Sequence, residues 1–297
     1  MSPMYEHENV VSCVEDGFLS HLPPDTPVFH YNPQCPLESL LPPVSPYDRF
    51  VVIKAFPSVV LDDLDERLPG RLEYSSSLMI LILKMPSWPH EEAAGRFEAI
   101  ISCLAAQMKV ARRISYLGAT RIDGDGRKKQ ADRSWKPMRH EGLFPTVALE
   151  VGYSEPTAKL ERDITWWLHE SRGRMKMGIT IDIKRGSQNV EIKSWVPAMP
   201  FPQHVYITVD QRQVVDRRCN QQAPPLVAQR ILIKKGRNGK EPIIQGGDLI
   251  IPFQSLLLTE PGQGEGDFIF TEDMLLHDIA EPIWVAIEQA EREKRTK

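Results

Sequence analysis

Short runs in which apolar positions either alternate with polar ones or follow one another without a break read as strands. RFVVIKAF (49–56) is one. RLEYSSSLMILILKMP (71–86) reads as a hairpin or strand pair. The period then changes to that of a helix. In SWPHEEAAGRFEAIISCLAAQMKVARR (87–113), Phe97, Ile100, Ile101, Leu104 and Met108 share one face, with Pro89 and acids at the start and Arg112 and Arg113 at the end. ISYLGATRI (114–122) is read as a strand, DGDG as a turn rather than a calcium loop, and KKQADRSW as the partner strand. PTVALEVGY (145–153) is a further strand. Ser154 is placed to cap a helix whose first turn holds Pro156 and whose buried stripe is Leu160, Ile164, Trp167 and Leu168. KMGITIDIKR and NVEIKSWV complete a run of helix, three strands, helix and two strands, an α/β layer arrangement with a mixed sheet.

The flanks differ in texture. Residues 1–48 hold nine prolines, which predicts an extended arm with little regular structure. Residues 49–200 form the expected core. Residues 201–297 are expected to add short strands (HVYITV, RILIK, DLIIPF) and a terminal helix broken at Pro282, either as an extension packed on the core or as a separate domain.

Hydrophobic residues make up 41% and charged residues 26% of the 297-residue chain, values of an ordinary globular protein. The longest apolar run is too short to cross a bilayer, so no membrane partner is expected. Cys13, Cys35, Cys103 and Cys219 have no metal-ligand spacing, and the acidic N-terminus lacks a signal-peptide layout. An intracellular protein, cytoplasmic or nuclear, without disulfides follows. The net charge of −4 argues against a general nucleic-acid coat, but residues 109–139 carry ten Lys/Arg against three acids. Such a run is either a solvated surface or a basic rim that grips a phosphate backbone. Arg127, Lys128, Lys129, Arg133 and Lys136 are the candidate DNA contacts. Trp135 is placed to stack on a base, with half-buried packing as the alternative. Trp166 and Trp167 read as core.

Two carboxylates stand out from this background. Ala148, Glu150 and Gly152 share one strand face, leaving Glu150 between two small residues with open space around it. Asp132 lies on the preceding strand. Two acids on neighbouring strands can share a divalent ion, Mg or Mn, which activates a water and steadies charge on a phosphoryl oxygen. The competing explanation is a surface Asp and a charged edge residue. On α(87–113), His90 and Glu91 occupy the first turn and Glu98 lies two turns on.

The order of Asp132 and Glu150, with ADRSWKP, PTVALEVGYSE, L..D..WWL and the upstream KMPSWPHE, resembles the PD-(D/E)XK nuclease superfamily. The restriction-endonuclease-like proteins abundant in filamentous fungi are the more specific likeness, over roughly residues 71–196. The resemblance implies an α-β-β-β-α-β core, Asp132 and Glu150 as metal ligands, and a helix acid (Glu98 or Glu91) completing the shell. His90 would orient a water or phosphate. The superfamily lysine, two residues after the Glu, is replaced by Gly152. Bacterial relatives place a lysine a turn beyond a helix Asp; Asp163 matches that Asp, but the lysine position is Trp167. Lys159 or Lys176 would have to substitute.

Three functions fit these residues. One is a Mg-dependent nuclease cleaving DNA with Asp132, Glu150, His90, Glu98 and Asp163. The second is a catalytically decayed nuclease fold kept as a nucleic-acid- or protein-binding module. The third is a peptide-binding adaptor working through the proline-rich arm, in which removal of residues 1–48 leaves the fold intact.

Overall fold

The strand-like runs of residues 49–85 fold into the middle of a first sheet. The computed structural model describes residues 15, 17–42, 45–64, 68–153, 155–198, 223–237 and 239–296. In it β1 (Val28–His30) pairs in parallel with β2 (Arg49–Lys54). After the short helix α1 (Ser58–Leu64), β3 (Arg71–Ser75) and β4 (Ile80–Met85) form the expected hairpin. The long helix α2 (Trp88–Gln107) buries Phe97, Ile100 and Ile101, and it tolerates Pro89 because the first turn has no intrahelical use for that N–H.

The next segment departs from the pattern. The single strand expected over 114–122 is two, β5 (Ile114–Tyr116) and β6 (Arg121–Asp123), separated by a turn at Gly118 with φ of 55°. Its partner is likewise split into β7 (Arg127–Gln130) and β8 (Arg133–Pro137). DGDG is a hairpin turn, with Gly126 in the left-handed region that glycine adopts freely. β6 and β7 join the first sheet, in the order β1-β2-β4-β3-β7-β6. β5 and β8 join the second. Asp132 sits where the chain leaves one sheet for the other.

The second sheet is built on β9 (Val147–Tyr153), helix α3 (Thr157–Glu170), β10 (Met177–Ile183), β11 (Val190–Val196), β12 (Leu226–Lys234) and β13 (Ile243–Gln245). Its order is β13-β12-β11-β10-β9-β8-β5. β9 and β10 run parallel, and the remaining pairs are antiparallel. Helix α2, strands β5, β8 and β9, helix α3 and strand β10 thus give the α-β-β-β-α-β order with a mixed sheet. α3 and α2 cover opposite faces, Trp167 and Leu168 packing under one and Phe97 and Ile101 under the other. β9 and β10 are buried at every position, as parallel strands covered on both faces must be.

The C-terminal part extends this sheet through β12. It then forms a two-stranded pair, β14 (Leu249–Ile251) with β15 (Phe268–Phe270), around the short helix α4 (Phe253–Leu257). The final helix α5 (Glu281–Thr296) packs against α2. The irregularity expected at Pro282 takes the form of π-helical turns over Met274–Ala280, since the proline ring cannot accept the tight carbonyl four residues earlier. Ser154 and HVYITV lie outside the described residues.

The proline-rich arm is more structured than expected. It contributes β1, and Asp48 at its end is buried in the core, where it accepts from Ser87 N and Oγ (2.8 Å each) and Tyr153 N (3.0 Å). Removing residues 1–48 would therefore remove a strand and a buried hydrogen-bond hub. The arm is thus tied to the core rather than merely draped over it.

Candidate functional site

Asp132 and Glu150 meet at the seam between the two sheets. Leaving β7 for β8 turns the Asp132 side chain against β9, where Oδ2 accepts from Val151 N at 2.8 Å. Glu150, central on β9, accepts from Trp167 Nε1 at 2.6 Å. Trp167, one turn beyond Asp163, thus aims an indole donor at this carboxylate. Both acids are buried. They line one cavity of about 20 Å³, together with Glu73, Asp163, Arg71, Lys84, Lys129 and Lys159. That is room for about one water.

The open space expected beside Glu150 is filled. A Cβ on Gly152 would lie 2.4 Å from Glu155 Oε1 and 2.9 Å from Leu160 Cδ1, so no lysine fits there without moving both. The ammonium groups come from other elements. Lys84, at the end of β4, donates to Val151 O (2.6 Å) and Glu155 (3.2 Å) and stands 3.7 Å from Asp132. Lys129 on β7 lies 2.8 Å from Asp163, 3.6 Å from Glu73 and 3.8 Å from Glu150. Lys159, one turn before Asp163 on α3, bonds that acid at 2.5 and 2.6 Å and Glu73 at 3.2 Å. Lys176, by contrast, is turned to Gly173 O, away from the cavity.

His90 forms the other end of the cluster. Its ring is fully buried, with Nδ1 3.0 Å from Asp48 and Nε2 2.9 Å from Asp132. Burial opposes a charge there, but Asp132 and Asp48 prevail and raise its pKa to about 9, so the ring is an imidazolium at neutral pH. Asp132 is held well below the usual carboxylate range: burial works against it, and His90, Lys84 and Arg71 outweigh burial. Asp163 is lowered in the same way by Lys129 and Lys159. Glu150 goes the other way. Burial dominates over the pull of Lys129, Asp132 and Asp163 add repulsion, and its carboxyl is raised to about 7.

A divalent ion does not fit this arrangement. Magnesium needs near-octahedral oxygens and keeps several of its waters, whereas this cavity holds about one. The carboxylate oxygens that would face the ion face lysine ammoniums and an indole N–H. Among the described residues no group of three or more His, Cys, Asp or Glu is arranged to hold a metal.

No family model matches the chain, and no curated protein matches it. Among solved structures it is similar to one from Anabaena variabilis described as a "putative nuclease belonging to DUF820", with 16% identity and a TM-score of 0.34 over 51% of this chain and 90% of that one.

Other expected site residues are placed differently from the expectation. Glu98 does not reach the cavity; it binds Arg133 at 3.0 Å, while Glu91 is shared between Arg71 (2.7 Å) and Arg133 (3.1 Å). The candidate DNA contacts are largely turned inward or paired. Arg127 pairs with Glu73 and stacks over Phe18 and Trp166. Lys128 pairs with Asp62 at 2.6 Å, Lys129 belongs to the buried cluster, and Lys136 donates to Gly142 O. Trp135 is fully buried against Phe97, because β8 lies inside the sheet, so no base can reach its ring. Asp48, Arg71, Glu73, Lys84 and Glu155 join the cluster without having stood out in the sequence. Glu73, set between Leu72 and Tyr74, carries the same signal as Glu150: a lone charge in an apolar strand. Among the described residues no helix is long and apolar enough to cross a membrane.

Proposed function

We propose that this chain is a nuclease-like fold that does not hydrolyse nucleic acid and serves as a protein-interaction scaffold. One observation carries this reading. The two carboxylates at the nuclease positions are neutralised by the chain's own cations inside a cavity of about 20 Å³, roofed by β3, β4 and β7. A cavity of that size holds about one water and not a phosphodiester, and the position two residues after Glu150 is crowded by Glu155 and Leu160. The pairing of Arg127, Lys128 and Arg133 with acids of the same chain counts against a grip on a phosphate backbone.

A second reading, a Mg- or Mn-dependent nuclease, is favoured by the meeting of Asp132 and Glu150 at one cavity. The two readings separate on supercoiled plasmid incubated with the full chain and Mg²⁺ or Mn²⁺. The scaffold reading expects no nicking and no mobility shift of duplex or single-stranded DNA at physiological salt. Nicking that disappears in Glu150→Gln would overturn it.

A further inference from the structure

The loop between β8 and β9 and the turn between α3 and β10 carry a group of cations that the buried cluster does not use. Lys136, near the end of β8, donates to Gly142 O at 2.7 Å, and Arg174 stands 5.7 Å over the Phe144 ring. Lys176 donates from its backbone to Thr146 O at 2.7 Å and from Nζ to Gly173 O at 2.6 Å. These contacts hold residues 136–146 against residues 173–176, and Arg139 is exposed in the same loop. Burial and the charges of Lys136, Lys176 and Arg174 lower the pKa of His140, so all three cations reach that ring; Glu141 is the acid that opposes them. The acceptors of Lys136 and Lys176 are carbonyls, and among the described residues no carboxylate pairs with Lys136, Arg139, Arg174 or Lys176. Arg127, Lys128 and Arg133, by contrast, are each paired with an acid. Like charges gathered without a counter-charge repel one another, and carboxylates brought from outside relieve that repulsion.

Apolar side chains face solvent in the same loop. Leu143 is 63% and Met138 54% exposed, which places both among the most exposed large apolar side chains of the described residues. Phe144 is buried beneath Arg174 and offers no face to a base. We propose that this surface receives an acidic segment of a partner protein, its carboxylates on Lys136, Arg139, Arg174 and Lys176 and an apolar side chain against Met138 and Leu143. Such a segment answers both the charge and the exposed aliphatic groups. A nucleic acid would use the cations and leave Met138 and Leu143 against water. The proposal rests on the scaffold reading and gives it a face and a partner chemistry, on residues outside the buried cluster.

The test titrates a fluorescein-labelled synthetic peptide of glutamates interrupted by leucines with the full chain, at neutral pH and physiological salt, and reads fluorescence anisotropy. Saturable binding by the wild type is expected, with an affinity about tenfold or more weaker in the double variant Arg139→Glu/Arg174→Glu. Arg139→Glu alone, at an exposed side chain, serves where the double variant fails to fold. Leu143→Ser should also weaken binding, as should serines in place of the leucines of the peptide. Lys240→Glu, a charge reversal in the β12–β13 connection at the opposite edge of the second sheet, should leave it unchanged. Absence of saturable binding, an equal loss in Lys240→Glu and Arg139→Glu, or equal affinity for the peptide without leucines would overturn the proposal. Duplex DNA that binds more tightly than the peptide, with a loss in Arg139→Glu, would overturn it in favour of a nucleic acid. Plasmid nicking by a wild type that still binds the peptide strikes the scaffold reading alone, and failure to bind the peptide without nicking strikes this proposal alone.

Discussion

His90 offers the sharpest energetic prediction. The ring is buried between Asp48 and Asp132, at 3.0 and 2.9 Å, and its pKa in the folded protein is about 9, against an ordinary value of 6.5. A raised pKa means that the folded state binds this proton more tightly than the unfolded state. The resulting stability is fully present below pH 6.5 and is lost as pH rises through 9, an amount of about 3 kcal/mol at 1.36 kcal/mol per pH unit. His90→Gln removes the charge and leaves two buried carboxylates short of a counter-ion, a change that costs about 3–5 kcal/mol where the pair is fully buried. Urea unfolding of wild type and His90→Gln at intervals from pH 6 to 9.5 should therefore show a gap that narrows by about 3 kcal/mol towards alkaline pH. The gap between the two proteins is the quantity to read. Lys159, which burial lowers to about 8 against the attraction of Asp163, acts with the opposite sign above pH 8 in both. A gap that does not change with pH would mean that His90 is neutral in the folded protein, and the charged bridge between Asp48 and Asp132 would have to be abandoned.

Further expectations bear on the rest of the cluster. Lys84→Met should lower stability by about 3–5 kcal/mol, because it leaves Asp132 and Glu155 without their nearest ammonium; a urea midpoint within error of the wild type would contradict this. Glu150, raised to about 7 mainly by burial, makes the folded state the better proton binder between pH 4.5 and 7, so stability falls as pH rises through that window. Glu150→Gln should make this slope shallower between pH 5 and 7, leaving the part due to Glu155, whose carboxyl burial likewise raises to about 7, and an unchanged slope would count against the raised pKa of Glu150. Gly152→Lys, which puts a lysine two residues after Glu150, should destabilise the protein by at least about 1–3 kcal/mol through overpacking against Glu155 and Leu160, and it should confer no plasmid nicking.

The legible parts of this molecule were those governed by local pattern. The 3.6-residue stripe of Phe97, Ile100 and Ile101, the alternation around Leu149 and Val151, and the DGDG turn each depend on neighbours a few residues away. They were sufficient for the α-β-β-β-α-β order. The change of sheet at Gly118 and Asp132 was not legible, because either half of ISYLGATRI is an acceptable strand and only pairing with β7 or β8 decides where each half goes. The same long-range pairing hid the cations. Lys84 ends an apolar strand in sequence much as any solvated lysine would, and only its place opposite β9 turns it onto Val151 and Asp132. Lys129 sits in a run of basic residues that reads as a surface. Its register opposite Glu73 on β3 faces it inward. The space at Gly152 was misjudged for a related reason: strand periodicity tells which face a residue is on, but not that α3 and Glu155 press upon that face.

Crystals of the wild-type chain grown with Mn²⁺ at neutral pH would decide the central point directly, through the anomalous difference map over the cavity. The expected map shows the Lys129 ammonium beside Asp163, with no anomalous peak between Asp132 and Glu150. A manganese peak ligated by those two carboxylates, with Lys84 and Lys129 displaced, would contradict it.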